Sequence, residues 1–191
     1  MRSKGLSIEI ICAGIGGRGV LLASTLLIDS AVRKNVYAIG SDEYGMSQRG
    51  GSVISQVKIG NVKSPIVGKG RADILLGFEE SEFLRNVSYL KKKGIGIVNT
   101  NKSEIDRKVT DALKERSVRL YLLDADEIAR REGLFLASNM AVLGFLSSLG
   151  IEPLTYENLK EAIIYRLQGK MLEGNLKVFE NGYRKGLEIL K

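Results

Sequence analysis

Apolar and polar positions alternate between two periods along this chain, and the switches mark its elements. Ser7 to Ala13 (SIEIICA) is an apolar run that predicts a strand, and Val20 to Lys34 places Leu21, Leu22, Thr25, Leu26 and Ile28 at helical spacing. Between them lies the glycine turn GIGGRG, Gly14 to Gly19. Val36 to Gly40 predicts a second short strand, and SVISQVKIG, Ser52 to Gly60, alternates as a sheet element with one face better buried. ADILLGF from Ala72 predicts another strand, then a helix over Glu79 to Lys93, the strand IGIVNT, a polar segment to Arg116, and the strand VRLYLLDA. Helical segments follow: DEIARREG, the apolar LFLASNMAVLGFLSSLG, and Thr155 to Lys191, with breaks expected at Gly169 and Gly174. Strands alternating with helices indicate α/β: a single modified Rossmann-like domain over residues 1–191, with a largely parallel sheet flanked by helices and a helical C-terminal segment.

Composition narrows the chemistry. The 191 residues are 44% hydrophobic and 27% charged, as in an ordinary soluble globular protein. A chain of this size buries roughly 70% of its unfolded surface, enough for a core without metals or disulfides. Cys12 is the only cysteine, set among apolar neighbours that suggest a buried strand, and histidine is absent. One cysteine cannot hold an iron-sulfur cluster, and the commonest acid/base group and metal ligand is missing. No metal site is expected, and the sequence names no catalytic residue. Without a visible signal peptide or an apolar run of 18 residues, the expected location is the cytoplasm, with no membrane partner.

The formal charge of +7 has two readings, a basic surface for polyanions or a lysine-rich solvated exterior. Lys91 to Lys93 falls at an expected helix end, where cations offset the helix dipole. No aromatic platform accompanies the cations, which argues against a nucleic-acid-binding module.

Gly14, Gly16 and Gly19 satisfy G-x-G-x-x-G after a strand and before a helix. Backbone amides there suit a phosphate at the helix N-terminus, with Arg18 adding a charge-assisted contact. The alternative is a tight strand-to-helix turn with no ligand. A dinucleotide-binding half also needs a crossover helix after its second strand, yet Ser41 to Gly51 is only eleven residues. No crossover helix fits. Asp42 and Glu43 also lie later than the usual ribose-binding acid, so a nicotinamide dehydrogenase loses ground.

AGIGGRGVLLASTLLIDSA, EYGMSQRGGSVISQVKIG, SPIVGKGRADILLGFE, GIGIVNT, and SNMAVLGFLSSLG with EGNLKVFENGYRKG together resemble the gamma domain of the 2-oxoacid:ferredoxin oxidoreductases over nearly the whole chain. Within that family, GMSQRGGSV is most similar to the indolepyruvate ferredoxin oxidoreductase beta subunit. Tyr44 stands where that form usually has histidine, and Arg18 replaces the usual glutamine. The resemblance implies a subunit, inactive alone, of an enzyme that decarboxylates a 2-oxoacid oxidatively with coenzyme A, giving an acyl-CoA, carbon dioxide and reduced ferredoxin. It implies a partner subunit that carries thiamine diphosphate and iron-sulfur clusters, ferredoxin as an indirect partner, and coenzyme A as the ligand this chain helps to hold. A homodimer in isolation is a further expectation. The alternatives are a free-standing nucleotide-binding enzyme and a basic nucleic-acid-binding module.

The candidate coenzyme-binding residues are Gly14, Gly16, Gly17, Arg18 and Gly19 in the first turn, Glu43, Tyr44, Arg49, Gly50, Gly51 and Ser52 in the second loop, and Asn139. Arg49 reads as an anchor to a coenzyme phosphate or to a partner carboxylate, with Gly50 and Gly51 allowing close backbone approach; an internal salt bridge with Asp42 or Glu43 is the third reading. Asn139, in an otherwise apolar helix, must find partners for a buried amide, either a ligand or a neighbouring helix.

Overall fold

The first strand, β1 (Ser7–Ile15), is buried along almost its whole length because helices cover both faces of its sheet. Its alternation sorts the core in two. Ile8, Ile10 and Cys12 join the cluster built with helices α1 (Val20–Val32), α4 (Ala125–Arg131), α5 (Ser138–Ser147), α6 (Tyr156–Arg166) and α7 (Gly169–Ile189). Ile11 and Ala13 join the smaller cluster under α2 (Glu80–Asn86) and α3 (Arg107–Glu115). Burial pushes the Cys12 thiol far up, so it serves as a small apolar side chain. The computed structural model describes residues 7–44 and 50–191, apart from the side chains of Tyr44 and Lys170.

The remaining strands are β2 (Ala38–Tyr44), β3 (Ser52–Gly60), β4 (Ala72–Gly77), β5 (Leu90–Asn99) and β6 (Arg119–Leu123). They form one sheet in the order β2-β3-β1-β4-β5-β6. Only β3 runs against the others, antiparallel to both β1 and β2, so the sheet is largely parallel as the alternation predicts. The crossover through α1 carries β2 one place beyond β1, and β3 folds straight back into the gap. Strand β3 begins at Ser52, close after β2 ends at Tyr44, which agrees with the short connection.

Several boundaries differ from the sequence reading, each for a physical reason. Strand β2 extends through Ser41–Tyr44, which reads as loop, because its acids find partners across the ladder: Ser55 Oγ donates to Asp42 Oδ1 at 2.6 Å, and the Gln56 amide donates to Glu43. The expected helix from Glu79 to Lys93 stops at Asn86; a single 3-10 turn, Val87–Tyr89, leads into β5, so Lys91 to Lys93 lie on a strand and offset no helix dipole. The polar segment before Arg116 contains α3, capped by Asp106, whose carboxylate accepts from the Val109 N–H at 3.1 Å. Its apolar stripe, Val109, Ala112 and Leu113, is narrow, and only Leu113 is buried, so the segment reads as polar.

Helix α5 is buried on every side. It begins only at Ser138, leaving Phe135 and Leu136 in an exposed loop. It packs against α7 at close range, since a Cβ on Gly144 or Gly182 would stand 2.0 or 2.1 Å from a carbonyl oxygen of the other helix. The chain breaks before Gly169 as expected, whereas Gly174 continues α7. There a Cβ would fall 2.5 Å from Leu134, so packing rather than a turn requires that glycine.

Candidate functional site

The two glycine segments meet at the carboxyl end of β1. Ile15 pairs with Ser52 in the β1–β3 register, and the Gly16 N–H donates to the Gly51 carbonyl at 2.9 Å. Gly50, at φ 78, turns the chain into β3 in a conformation open to glycine, with empty space where a side chain would stand. Ser52 points its hydroxyl inward, donating to the buried Glu82 carboxylate at 2.6 Å. Arg49 lies outside the described residues, as does the Tyr44 side chain; the Glu43 carboxylate accepts from Gln56.

Gly19 caps α1 at φ 72, and a Cβ there would fall 2.4 Å from the Asn139 amide nitrogen. That nitrogen donates to the Gly19 carbonyl at 3.1 Å, while the Asn139 oxygen accepts from the Met140 N–H at 3.0 Å. The buried amide is therefore a brace between α5 and the glycine turn. Gly14 sits where a Cβ would crowd Val20 at 2.8 Å and Phe78 at 3.1 Å, which presses strand against helix. No side chain caps α1 and no acid stands in its first turn, so the positive end of its dipole faces the turn uncompensated.

Arg18 points away from that helix end. Its Nη1 lies 2.8 Å from Asp126 Oδ1 and its Nε contacts Glu79. Burial pushes the Glu79 carboxyl up; Arg18 pulls it back down, and Asp126 adds to the rise. An anion taken up by Arg18 must displace these carboxylates. They belong to an acidic crevice of about 400 Å³ at the carboxyl ends of β4, β5 and β6, where Glu79, Glu80, Asp124 and Asp126 would repel a phosphate. Asn99 fixes its floor by donating to the Phe78 carbonyl at 3.1 Å and accepting from the Ala125 N–H at 2.9 Å.

On the opposite flank of the turn opens an apolar groove of about 550 Å³, lined by Gly17, Gly19, Leu22, Leu134 to Ala137, Asn139, Met171 and Asn175. Phe135 and Leu136 remain 67% and 73% exposed. Neither residue stands out in the sequence, because LFLAS reads as the start of the apolar helix it merely precedes. Arg18's partners carry no local signature either, since Asp126 is 108 residues away.

Residues 9–185 match the family described as pyruvate ferredoxin/flavodoxin oxidoreductase. The chain is 31% identical to the indolepyruvate oxidoreductase subunit IorB of Archaeoglobus fulgidus, over 95% of this chain and 96% of the relative. It is 32% identical to the IorB subunit of Pyrococcus horikoshii, over 95% and 97%. Its fold matches a 2-oxoglutarate:ferredoxin oxidoreductase from Magnetococcus marinus, solved with 2-oxoglutarate, coenzyme A and succinyl-CoA bound, with a TM-score of 0.80 at 18% identity, over 97% of this chain and 32% of that one.

Proposed function

This chain belongs to the pyruvate ferredoxin/flavodoxin oxidoreductase family, and from that premise we propose that it is the small subunit of an indolepyruvate-type 2-oxoacid:ferredoxin oxidoreductase. One observation carries the reading: the likeness to IorB subunits runs the length of both chains, so this chain corresponds to one whole subunit of such an enzyme. The reaction decarboxylates the 2-oxoacid, passes two electrons singly to ferredoxin and transfers the acyl group to coenzyme A. The iron-sulfur clusters sit on the partner subunit, because a chain with one cysteine and no histidine cannot supply their ligands, and thiamine diphosphate is assigned to that subunit with them.

The part played by this chain is to hold and enclose. The uncapped start of α1 offers backbone amides and a positive dipole to a phosphate of coenzyme A, and Gly17, with open space where a Cβ would stand, keeps that approach free of a side chain. Coenzyme A supplies the thiol that accepts the acyl group. Asn139 holds the turn in place from behind, and Arg18, committed to Glu79 and Asp126, ties it to α4 rather than to the ligand. The apolar groove beside the turn is the surface covered by the partner subunit. In the Magnetococcus enzyme the matching unit is 32% of a longer chain, so further polypeptide adjoins it there.

A free-standing dinucleotide enzyme fits less well. The inserted β3 separates β2 from β1, which moves Asp42 and Glu43 two strand spacings, roughly 10 Å, from the glycine turn. The test is co-purification: the tagged chain expressed in its native host should bring down a large cysteine-rich subunit, and the complex should oxidise indolepyruvate faster than pyruvate or 2-oxoglutarate. Recovery of the chain alone, with nucleotide-dependent activity, overturns the reading.

A further inference from the structure

The lysine run Lys91 to Lys93 has no role in the site just described, and it lies at the opposite end of the sheet. It belongs to the amino-terminal edge, where β4, β5 and β6 begin and β3 ends. The backbone of that edge is tied together. The Lys93 N–H donates to the Arg116 carbonyl at 3.0 Å, the Arg116 guanidinium donates to the Leu90 carbonyl, and the Gly70 N–H donates to the Ser88 carbonyl at 2.9 Å. Lys93 is held at φ 61, a conformation uncommon for a side chain of its kind, so its direction is fixed by the fold.

Most acids of this edge are already engaged; Glu115, exposed at the end of α3, is the exception. Glu9 is buried between Lys58, at 3.3 Å, and Arg71, at 3.5 Å, while Asp73 accepts from the Glu9 N–H at 2.8 Å and pairs with Lys91. Lys63, Lys69, Lys92, Lys93 and Arg119 are exposed and have no ion-pair partner among the described residues. Residues 1–6 and 45–49 contain no carboxylate side chain to neutralise them. The carboxyl-terminal edge instead carries Glu79, Glu80, Asp124, Asp126 and Glu127, most of them paired with Arg18, Lys102, Arg130 or Arg131. Five cations without an ion-pair partner among the described residues thus gather at the edge away from the glycine turn, against one such acid, Glu115.

We infer that this amino-terminal edge is a docking surface for the acidic face of another protein, reached by reversible, charge-steered association. Complementary fields of this kind set encounter rate and orientation more than affinity. Lysines dominate the edge, and a flexible ammonium suits dispersed carboxylates, whereas phosphate recognition favours the planar arginine fork. Nucleic acid lacks its second requirement here. Tyr89 is half-buried against the core, and the exposed Tyr37 directly precedes β2, four strand positions from β5, so the described residues offer no row of rings there for bases to stack on.

The test uses the purified full chain and a fluorescent polyglutamate peptide of about twenty residues, with a single-stranded oligonucleotide of equal charge as the competing probe. Polyglutamate should bind at about 20 mM salt and be released at about 300 mM, where the screening length is short. Lys63→Glu, Lys92→Glu and Arg119→Glu combined should weaken binding more than about tenfold, and Lys92→Ala alone by a smaller step in the same direction. Arg107→Glu, Lys108→Glu and Lys191→Glu, the same charge change placed elsewhere, should alter it by less than about twofold. Equal losses from both triple variants reduce the effect to net charge and overturn the proposal. So does tighter binding of the oligonucleotide, which makes the edge a nucleic-acid surface, or failure of polyglutamate to bind at low salt.

Discussion

The side-chain amide of Asn139 donates to the carbonyl of Gly19 at 3.1 Å, joining two residues 120 positions apart. The same amide occupies the volume that a Cβ on Gly19 would need. Each residue therefore constrains the other. Asn139→Ala removes a donor to Gly19 and an acceptor from Met140, and should destabilise the isolated chain by about 1–3 kcal/mol in denaturant unfolding. Gly19→Ala should be destabilising for both overlap and positive φ, and less so in the Asn139→Ala background, because the overlap is gone. Strictly additive effects would break the link.

Arg18 gives a pH-dependent prediction. Burial raises the Glu79 pKa and Arg18 opposes the rise, so loss of Arg18 raises it further. A carboxyl whose folded pKa lies above its unfolded value weakens the fold as pH climbs from the unfolded value through the folded one. Arg18→Ala should therefore destabilise most near neutral pH and least at pH below the ordinary carboxylate range, where Glu79 is protonated in both proteins. Adding Glu79→Gln should flatten the difference. Melting temperatures of the three chains across pH decide it.

The hairpin glycine makes the third case. Gly50→Val places a β-branched residue at φ 78, so damage is expected from backbone strain alone. Arg49→Ala should leave the melting temperature of the isolated chain unchanged, yet lower activity or partner affinity of the assembled enzyme by about a hundredfold, as loss of a buried charged contact does. Normal assembly and coenzyme affinity in the Arg49 variant would make it a solvated side chain.

Phe135 and Leu136 test the covered groove. With 67% and 73% of their surfaces exposed, they should promote self-association of the isolated chain. Replacing both with serine should leave a monomer by light scattering, keep the melting temperature, and weaken capture of the partner subunit. A wild-type chain that is monomeric at every concentration would contradict this.

The frame of the fold was legible because β1 is a continuous apolar run, β3 alternates with period two, and the glycine turn stands between a strand and a helix. Asn139 announced itself as a buried amide in an apolar helix, although the partner it braces could not be read locally. What escaped depends on contacts across the sheet. Asp42 and Glu43 resemble loop residues until Ser55 and Gln56 receive them, and Lys91 to Lys93 resemble a helix end until β5 pairs with its neighbours. Arg18 looked like a phosphate ligand because its carboxylate partners, Glu79 and Asp126, lie in distant segments.

The central claim is that this chain completes a 2-oxoacid oxidoreductase it cannot replace, and titration tests it most directly. The purified chain is added in steps to a fixed amount of the partner subunit while ferredoxin reduction is followed with indolepyruvate and coenzyme A present. The chain alone should give no reduction, and the mixture should rise to a plateau at a fixed subunit ratio, dependent on coenzyme A. Ferredoxin reduction by the partner that is unchanged when the chain is added, or turnover by the chain alone, would contradict the claim.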